Sequence, residues 1–495
     1  MPDTSAPPHH DDSSVDVKQE HPTATTGGRP LATPQRNEST FDDSILQKEK
    51  KASDVQIITM ADSTTVEVAS AIASEDTQGR TSRREWLQYF VSVWAFLGLG
   101  WNDGALGPLL PRIQEVYNVG FTIVSLLFVF NFIGYVSGAG LNIWFTHRLG
   151  FGKTIVIGAC FNIAAYAIQT AAPPFPVFVL SFVFAGFGCA LQNSQANGFV
   201  GSLKRHKSSK LMCLHASYGL GALCSPFLAT RFAILPRWSF YYFSSLAVAL
   251  SNLVAQLLVF RLKRTEELLR EIGQEDPAPV RSIGDTEKID SSANSSSDSA
   301  SSDSENQNVY RQVFSIKAVH YLTLFAFIYI GVEVSVGSWI VSFIIRERGG
   351  GESSGYISSG FFAGLMLGRV VLIPVNKWIG EYFVVYIYMA LCIALEITIW
   401  LVPSIIENAI AVSFIGLFLG PMFPIIVVQS VKIFPPHLFT GAVGWITGVG
   451  VAGSAALPFV TGTLATRYGI RSLQPFMVAM MAAMVCIWIL VPRRK

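Results

Sequence analysis

The chain has 495 residues, 51% of them hydrophobic and only 14% charged, with mean hydropathy +0.42, formal net charge +2 and a pI near 8.1. Soluble domains average about 25% charged residues, which excludes a soluble multidomain enzyme, and without a basic domain nothing points to nucleic acid. Of the 70 Asp, Glu, Lys and Arg residues, 24 lie in 1–85 and 19 in 261–317, leaving 27 for all the rest, too few to coat a water-facing surface. The chain reads as a polytopic membrane protein with two polar attachments.

Residues 1–84 are rich in Ser, Thr, Asp and Pro without an apolar period, the composition of a disordered tail. They lack the short basic and apolar pattern of a cleaved signal peptide, so the first span is expected to serve as the insertion signal. From Trp86 twelve apolar runs follow: about 87–107, 119–142, 154–172, 176–200, 211–233, 239–261, 318–345, 355–376, 382–402, 406–431, 438–463 and 473–492. Each can cross a hydrocarbon core of ~30 Å, which takes ~20 helical residues. The expected organisation is therefore a tail (1–84), a six-helix half (85–261), a disordered linker (262–316) and a second six-helix half (317–495). Within the linker, RLKRTEELLREIG reads as a short surface helix, and the Ser/Asp-rich stretch after it as a solvated connector.

With the N-terminus inside, the inner flanks carry seventeen Lys and Arg and the outer flanks seven. The positive-inside rule then places both termini in the cytosol. The N-x-S/T triplets at Asn37 and Asn294 fall on that side and are expected to stay unglycosylated. The cysteines at 160, 189, 213, 224, 392 and 486 sit in apolar runs without metal-ligand spacing and read as packing residues.

The halves repeat. SFVFAGFG (181–188) matches SFIGLFLG (413–420) at an offset of 232, and Gly221 with Pro226-Phe227 matches Gly453 with Pro458-Phe459 at the same offset. His147-Arg-Leu-Gly150 stands opposite Lys377-Trp-Ile-Gly380 at 230, and Ala-Thr-Arg at 229–231 recurs at 465–467. Six spans per half give both halves one orientation, a parallel repeat of the kind secondary transporters carry, with the site between the halves near mid-membrane.

The 6 + 6 layout, the long central loop and the span 2–3 loop RLGFGK resemble the major facilitator superfamily, although His147 stands where that loop motif has an acid. GLGWNDGALGPLLPRIQ, YIGVEVSVGSWIVSFI, GPMFPIIVVQS and GVAGSAALPFVTG further resemble its fucose permease-like group and the fungal relatives of bypass-of-stop-codon type. The resemblance covers about 86–495. It implies an all-α fold of twelve transmembrane helices in two parallel six-helix repeats, working by alternating access.

An ionisable side chain at membrane depth is a functional-site candidate by default. Asp103, with Asn102, occupies the place where the fucose permease-like group has an Asp implicated in proton coupling; the alternative is a hydrated Asp near the outer end of its span. Glu333 sits about sixteen residues into span 7, near mid-membrane, with Tyr329 and Gly337 on its face. It is the second proton-coupling candidate, against a structural hydrogen bond. Glu396 lies in span 9, peripheral in the superfamily, and is expected to pair with a neighbouring helix. In span 4 the group's acid is replaced by Asn193, four residues before Asn197, which leaves open whether transport is proton-coupled.

Asn102, Asn193, Asn197, Tyr218, Trp101, Trp339 and Gln429 are candidates for solute binding; His215 and Arg369 for gating. Asn131 and Trp445 are further cavity candidates, while Trp86, Trp378 and Trp488 read as interfacial-belt residues. There is no Walker motif, HExxH or metal cluster, so the expectation is a non-enzymatic membrane transporter without cofactor or metal. Its partners would be a small organic solute, sugar-like or another metabolite, protons and the bilayer. It would act as a monomer in a fungal plasma membrane, as symporter or antiporter. A metabolite-efflux antiporter is the alternative, and a non-transporting nutrient sensor a more distant one.

Overall fold

The computed structural model describes residues 79–274 and 311–493. The tail before 79, the Ser/Asp-rich part of the linker and both N-x-S/T triplets lie outside the described residues.

The described chain is helical almost throughout. α1 covers 79–104 and, after one residue at Ala105, continues through Leu106–Tyr117. Then come α2 (Phe121–Leu149), α3 (Phe151–Thr170), α4 (Phe175–Ser202), α5 (Lys207–Ala233) and α6 (Tyr241–Phe260). The second half holds α7 (Lys317–Glu347), α8 (Tyr356–Val371, then Ile373–Ile379), α9 (Glu381–Leu401), α10 (Ile405–Ile433), α11 (Pro436–Tyr468) and α12 (Leu473–Leu490). Among the described residues ten helices are long and apolar enough to cross a membrane, and α8, bent by 54° at its break, is an eleventh. Pro374, which lacks the N–H to continue the ladder, accounts for that bend. With α1, which carries the apolar run 87–107, the twelve expected spans are present.

The repeat shows in how helices touch. A Cβ on Gly100 would strike the Tyr218 carbonyl of α5, and one on Gly221 the Leu97 carbonyl of α1. In the second half Gly331 abuts the Gly453 carbonyl of α11, and Gly453 the Phe327 carbonyl of α7. The same clasp joins α2 to α4 at Gly186 against Asn131, and α8 to α10 at Gly416 against Phe361. Apart from Gly331, which also meets the Leu457 side chain, backbone meets backbone there, the close approach that small residues permit within membranes. The equivalent contacts have offsets of 230 on α1 and α7 (Leu97, Phe327), 232 on α5 and α11 (Gly221, Gly453) and 230 on α4 and α10 (Gly186, Gly416). The string match of 181–188 to 413–420 is thus two residues out of register: packing equates Gly186 with Gly416, and the offset there is 230.

The end where α1 begins and α12 finishes carries the basic flank residues that are described, among them Arg84, Lys210, Lys263 and Arg493, and is called the basic end. The halves meet toward the opposite end, called the closed end. There the Thr122 amide donates to the Thr466 hydroxyl at 3.1 Å, Arg346 lies 4.7 Å over the Phe121 ring, and Trp339 packs against Phe121 and Phe128. One apolar core joins the halves there, whereas at the basic end the first half keeps a core of its own, around Phe151, Phe199 and Phe260. The surface helix of the linker, Thr265–Glu271, is seated in that smaller core through Leu268 and Ile272. Glu271 ties it to Arg84 and Lys263.

Candidate functional site

α1 and α7 touch where Gly107 meets the Gly337 carbonyl. One turn below, at i−4 on each helix, stand Asp103 and Glu333, so the close approach of the two helices brings the carboxyls into a common electrostatic environment between the halves. Asp103 is not near the end of its helix, since α1 continues to Tyr117. It is exposed to the space between the halves, where its Oδ2 accepts from the Tyr218 hydroxyl at 2.7 Å and its Oδ1 from Asn102 at 3.1 Å. Both donors are neutral. Glu333 has a cation: Nη2 of Arg369 in α8 lies 3.9 Å from its Oε1, with the Tyr329 hydroxyl buried beside both. An offset of 230 carries Asp103 onto Glu333, so the two acids are the same position of the repeat.

His215, one turn before Gly219 on α5, is exposed toward the charge of Arg369 and stands edge-on to Phe96 at 5.4 Å. Across α4, Asn197 donates to Asn193 at 2.9 Å, and Asn193 donates to the Tyr135 hydroxyl of α2 at 2.7 Å. This polar string of the first half lies within electrostatic reach of Asp103. Carboxyls, hydroxyls and amides from both six-helix units therefore gather on the side where α1 and α7 cross, an arrangement able to hold a polar solute.

The family model for the major facilitator superfamily matches residues 93–446. The chain belongs to this superfamily. It is 25% identical over 424 residues to Bypass of stop codon protein 6 of Saccharomyces cerevisiae, covering 82% of each chain. It is 21% identical over 336 residues to the glucose/mannose transporter GlcP of Bacillus subtilis, covering 67% of this chain and 76% of that one. In fold it is similar to a solved D-xylose-proton symporter, with TM-score 0.63, 12% identity, and 82% of this chain and 98% of that chain covered. As a facilitator of this superfamily it is an integral, multi-pass membrane transporter.

Not every candidate residue of this facilitator gathers at that crossing. Trp339 is fully buried, its indole N–H donating to the Pro458 carbonyl at 3.1 Å, so it links α7 to α11 at the closed end. Gln429 is buried at the basic end, donating to the Pro492 carbonyl. Trp101 turns from Asp103 into a small cavity behind α1, beside Asn162, Gln192 and Asn252. Asn131 packs its backbone against Gly186, its side-chain oxygen buried without a hydrogen-bond partner. Trp445 lines a groove of about 260 Å³ with His320 and Phe327, near the basic end of α7 and α11.

Glu396 is buried on α9, and its Oε2 has no hydrogen-bond partner; the expected pairing with another helix is not made by that oxygen. Trp488 is not an interfacial-belt residue: it is fully buried against Phe325 and donates to the Tyr382 carbonyl. Four of the six cysteines reach the protein surface, only Cys189 and Cys392 being buried. Sequence reasoning missed Tyr135, four residues after Asn131 on the same face of α2. It also missed the buried ion pair of Glu85 with Lys210.

Proposed function

We propose that this facilitator moves a small polyhydroxylated solute of monosaccharide type together with a proton, by alternating access, in the plasma membrane with both termini cytosolic. The observation that carries the reading is the pair Asp103 and Glu333, set on equivalent positions of the two halves one turn below the crossing of α1 and α7. Ionisable groups that face a bundle interior at membrane depth mark ion and proton pathways, and a site shared by both halves is the one that rocking exposes to each side in turn. Tyr218, Asn102, Asn193, Asn197 and Tyr135 supply hydroxyl and amide groups suited to sugar hydroxyls. The names of relatives add glucose, mannose and D-xylose as the solutes to try first. His215 and Arg369 border the site on the α5–α8 side, where they would act in gating. The positive-inside count supports cytosolic termini.

The test is uptake of labelled D-glucose, D-mannose and D-xylose by proteoliposomes holding the full chain, with and without an inward proton gradient. Accumulation that follows the gradient, and becomes purely equilibrative in Asp103→Asn, is the expected result. Flux indifferent to the gradient overturns the coupling, and absence of flux for all three sugars overturns the solute class.

A further inference from the structure

The two repeat-related carboxyls do not have two counter-ions. Arg369 is the one basic side chain in ion-pair range of either among the described residues, and the offset that carries Asp103 onto Glu333 carries Arg369 back onto Ala139. Arg369 is held by Glu333 only at a distance, and Tyr329 is its other neighbour. Its contact with Glu333 is a single one at 3.9 Å, not a bidentate fork, and its Nε is buried with no hydrogen-bond partner. Its charge reaches Tyr218, whose hydroxyl already bonds Asp103. On the first-half side Asp103 is bonded by Tyr218 from α5, and Tyr135 from α2, Tyr166 from α3 and Cys189 from α4 lie within electrostatic range of it, none of them cationic. His215 and Tyr329 complete the titratable groups around Arg369.

We infer that Arg369 is a counter-ion shared by two symmetry-related carboxyls, standing on Glu333 in this conformation and free to move to Asp103, so that the site always leaves one carboxyl for one proton. The inference rests on the proposed coupling role of Asp103 and Glu333 and adds to it a stoichiometry and a positioning residue. With Arg369 on Glu333, the proton belongs to Asp103, taken from water on the side to which the site is open. With Arg369 on Asp103, the proton belongs to Glu333. A solute hydroxyl that bonds Asp103 favours one arrangement over the other, which is how occupancy and protonation become linked.

One consequence runs against intuition. Glu333→Gln removes the anchor of Arg369, which then settles on Asp103 and holds it ionised, so deleting one acid silences the other. Adding Arg369→Gln to that variant frees Asp103 to bind its proton again. Arg369→Gln alone leaves two uncompensated carboxyls and therefore two protons.

The experiment needs no solute. The carbonyl stretch of protonated carboxyls is followed by infrared difference spectroscopy between alkaline and acidic pH, on the full chain in liposomes. Asp103→Asn assigns the Asp103 band, and Glu396→Gln subtracts the buried carboxyl of α9. The expected pattern is an Asp103 band in the parent, none in Glu333→Gln, its return in Glu333→Gln with Arg369→Gln, and two bands in Arg369→Gln. An Asp103 band that survives Glu333→Gln, fails to return in the double variant, or is missing from the parent overturns the inference. Monodisperse elution establishes that each variant is folded. Should Glu333→Gln not fold, Arg369→Gln decides alone: a single band refutes the shared counter-ion. Absence of sugar flux, by contrast, bears only on the solute class.

Discussion

Glu85 and Lys210 offer a measurable test of how α1 and α5 are held together. Their charged atoms are in direct contact, and their side chains are only 6% and 8% exposed. The Tyr89 hydroxyl donates to the Lys210 carbonyl at 3.1 Å, and the Lys210 ammonium lies 5.8 Å and 5.9 Å from the Trp86 and Tyr89 ring centres. Removing one partner of a buried pair strands the other charge and costs about 3–5 kcal/mol, whereas replacing both by apolar groups of similar volume is often neutral. Gln in place of Glu85 keeps an acceptor, and the two rings each return roughly 0.5–1 kcal/mol of cation–π attraction, so the loss for Glu85→Gln should be about 2–3 kcal/mol. Glu85→Gln with Lys210→Met should recover most of it. The assay is the heat-induced transition in detergent micelles, followed by tryptophan fluorescence and by loss of the monodisperse peak. A clear drop for the single variant and recovery in the double one is expected. If Glu85→Gln melts with the parent, or Lys210→Met brings no recovery, the pair does not pin α1 to α5 and the reasoning fails.

Gly100→Leu should abolish the folded protein, because its side chain would have to occupy the Tyr218 backbone, whereas Gly198→Ala, with open space around it, should elute and melt like the parent. Gly462→Leu, pressed against the Phe121 carbonyl and Ser125 at the closed end, should prise the halves apart there. The check is faster labelling of Ser125→Cys by an impermeant maleimide from that side, in a background with the native cysteines replaced by Ala; unchanged labelling would show that this contact does not seal the end. Glu396→Gln should leave proton-driven accumulation unchanged and stability within about 1 kcal/mol, since the site does not use that carboxyl and an amide suits an apolar seat better than a charge. A loss of accumulation would move Glu396 into the mechanism.

The twelve spans and their division into halves were legible because hydropathy and charge vary over lengths a helix fixes. Asp103, Glu333 and Arg369 were legible singly, as charges where charges are expensive. Their relation was not: it depends on Gly107 lying against Gly337, a contact 230 residues apart that no local pattern announces. The string match between spans 4 and 10 misled by two residues because it aligned residue types, while packing aligns the glycines that must face a partner backbone. Trp339 and Trp488 read as exposed or cavity-facing because an aromatic ring at a given depth suits lipid, cavity and core equally; only the carbonyls of Pro458 and Tyr382, brought in by other helices, decide for the core. The Glu85–Lys210 pair was illegible for the same reason, its partners lying 125 positions apart.

The equivalence of the two halves has an energetic meaning. Because the halves share one orientation, the two-fold that relates them runs along the membrane normal and turns each end of the molecule onto itself, never onto the other end. The equivalence therefore does not level an arrangement closed at one end with one closed at the other, and the different contacts of the two ends set a bias between them. A bound proton or solute that favours one arrangement by about 1.4 kcal/mol shifts their ratio tenfold.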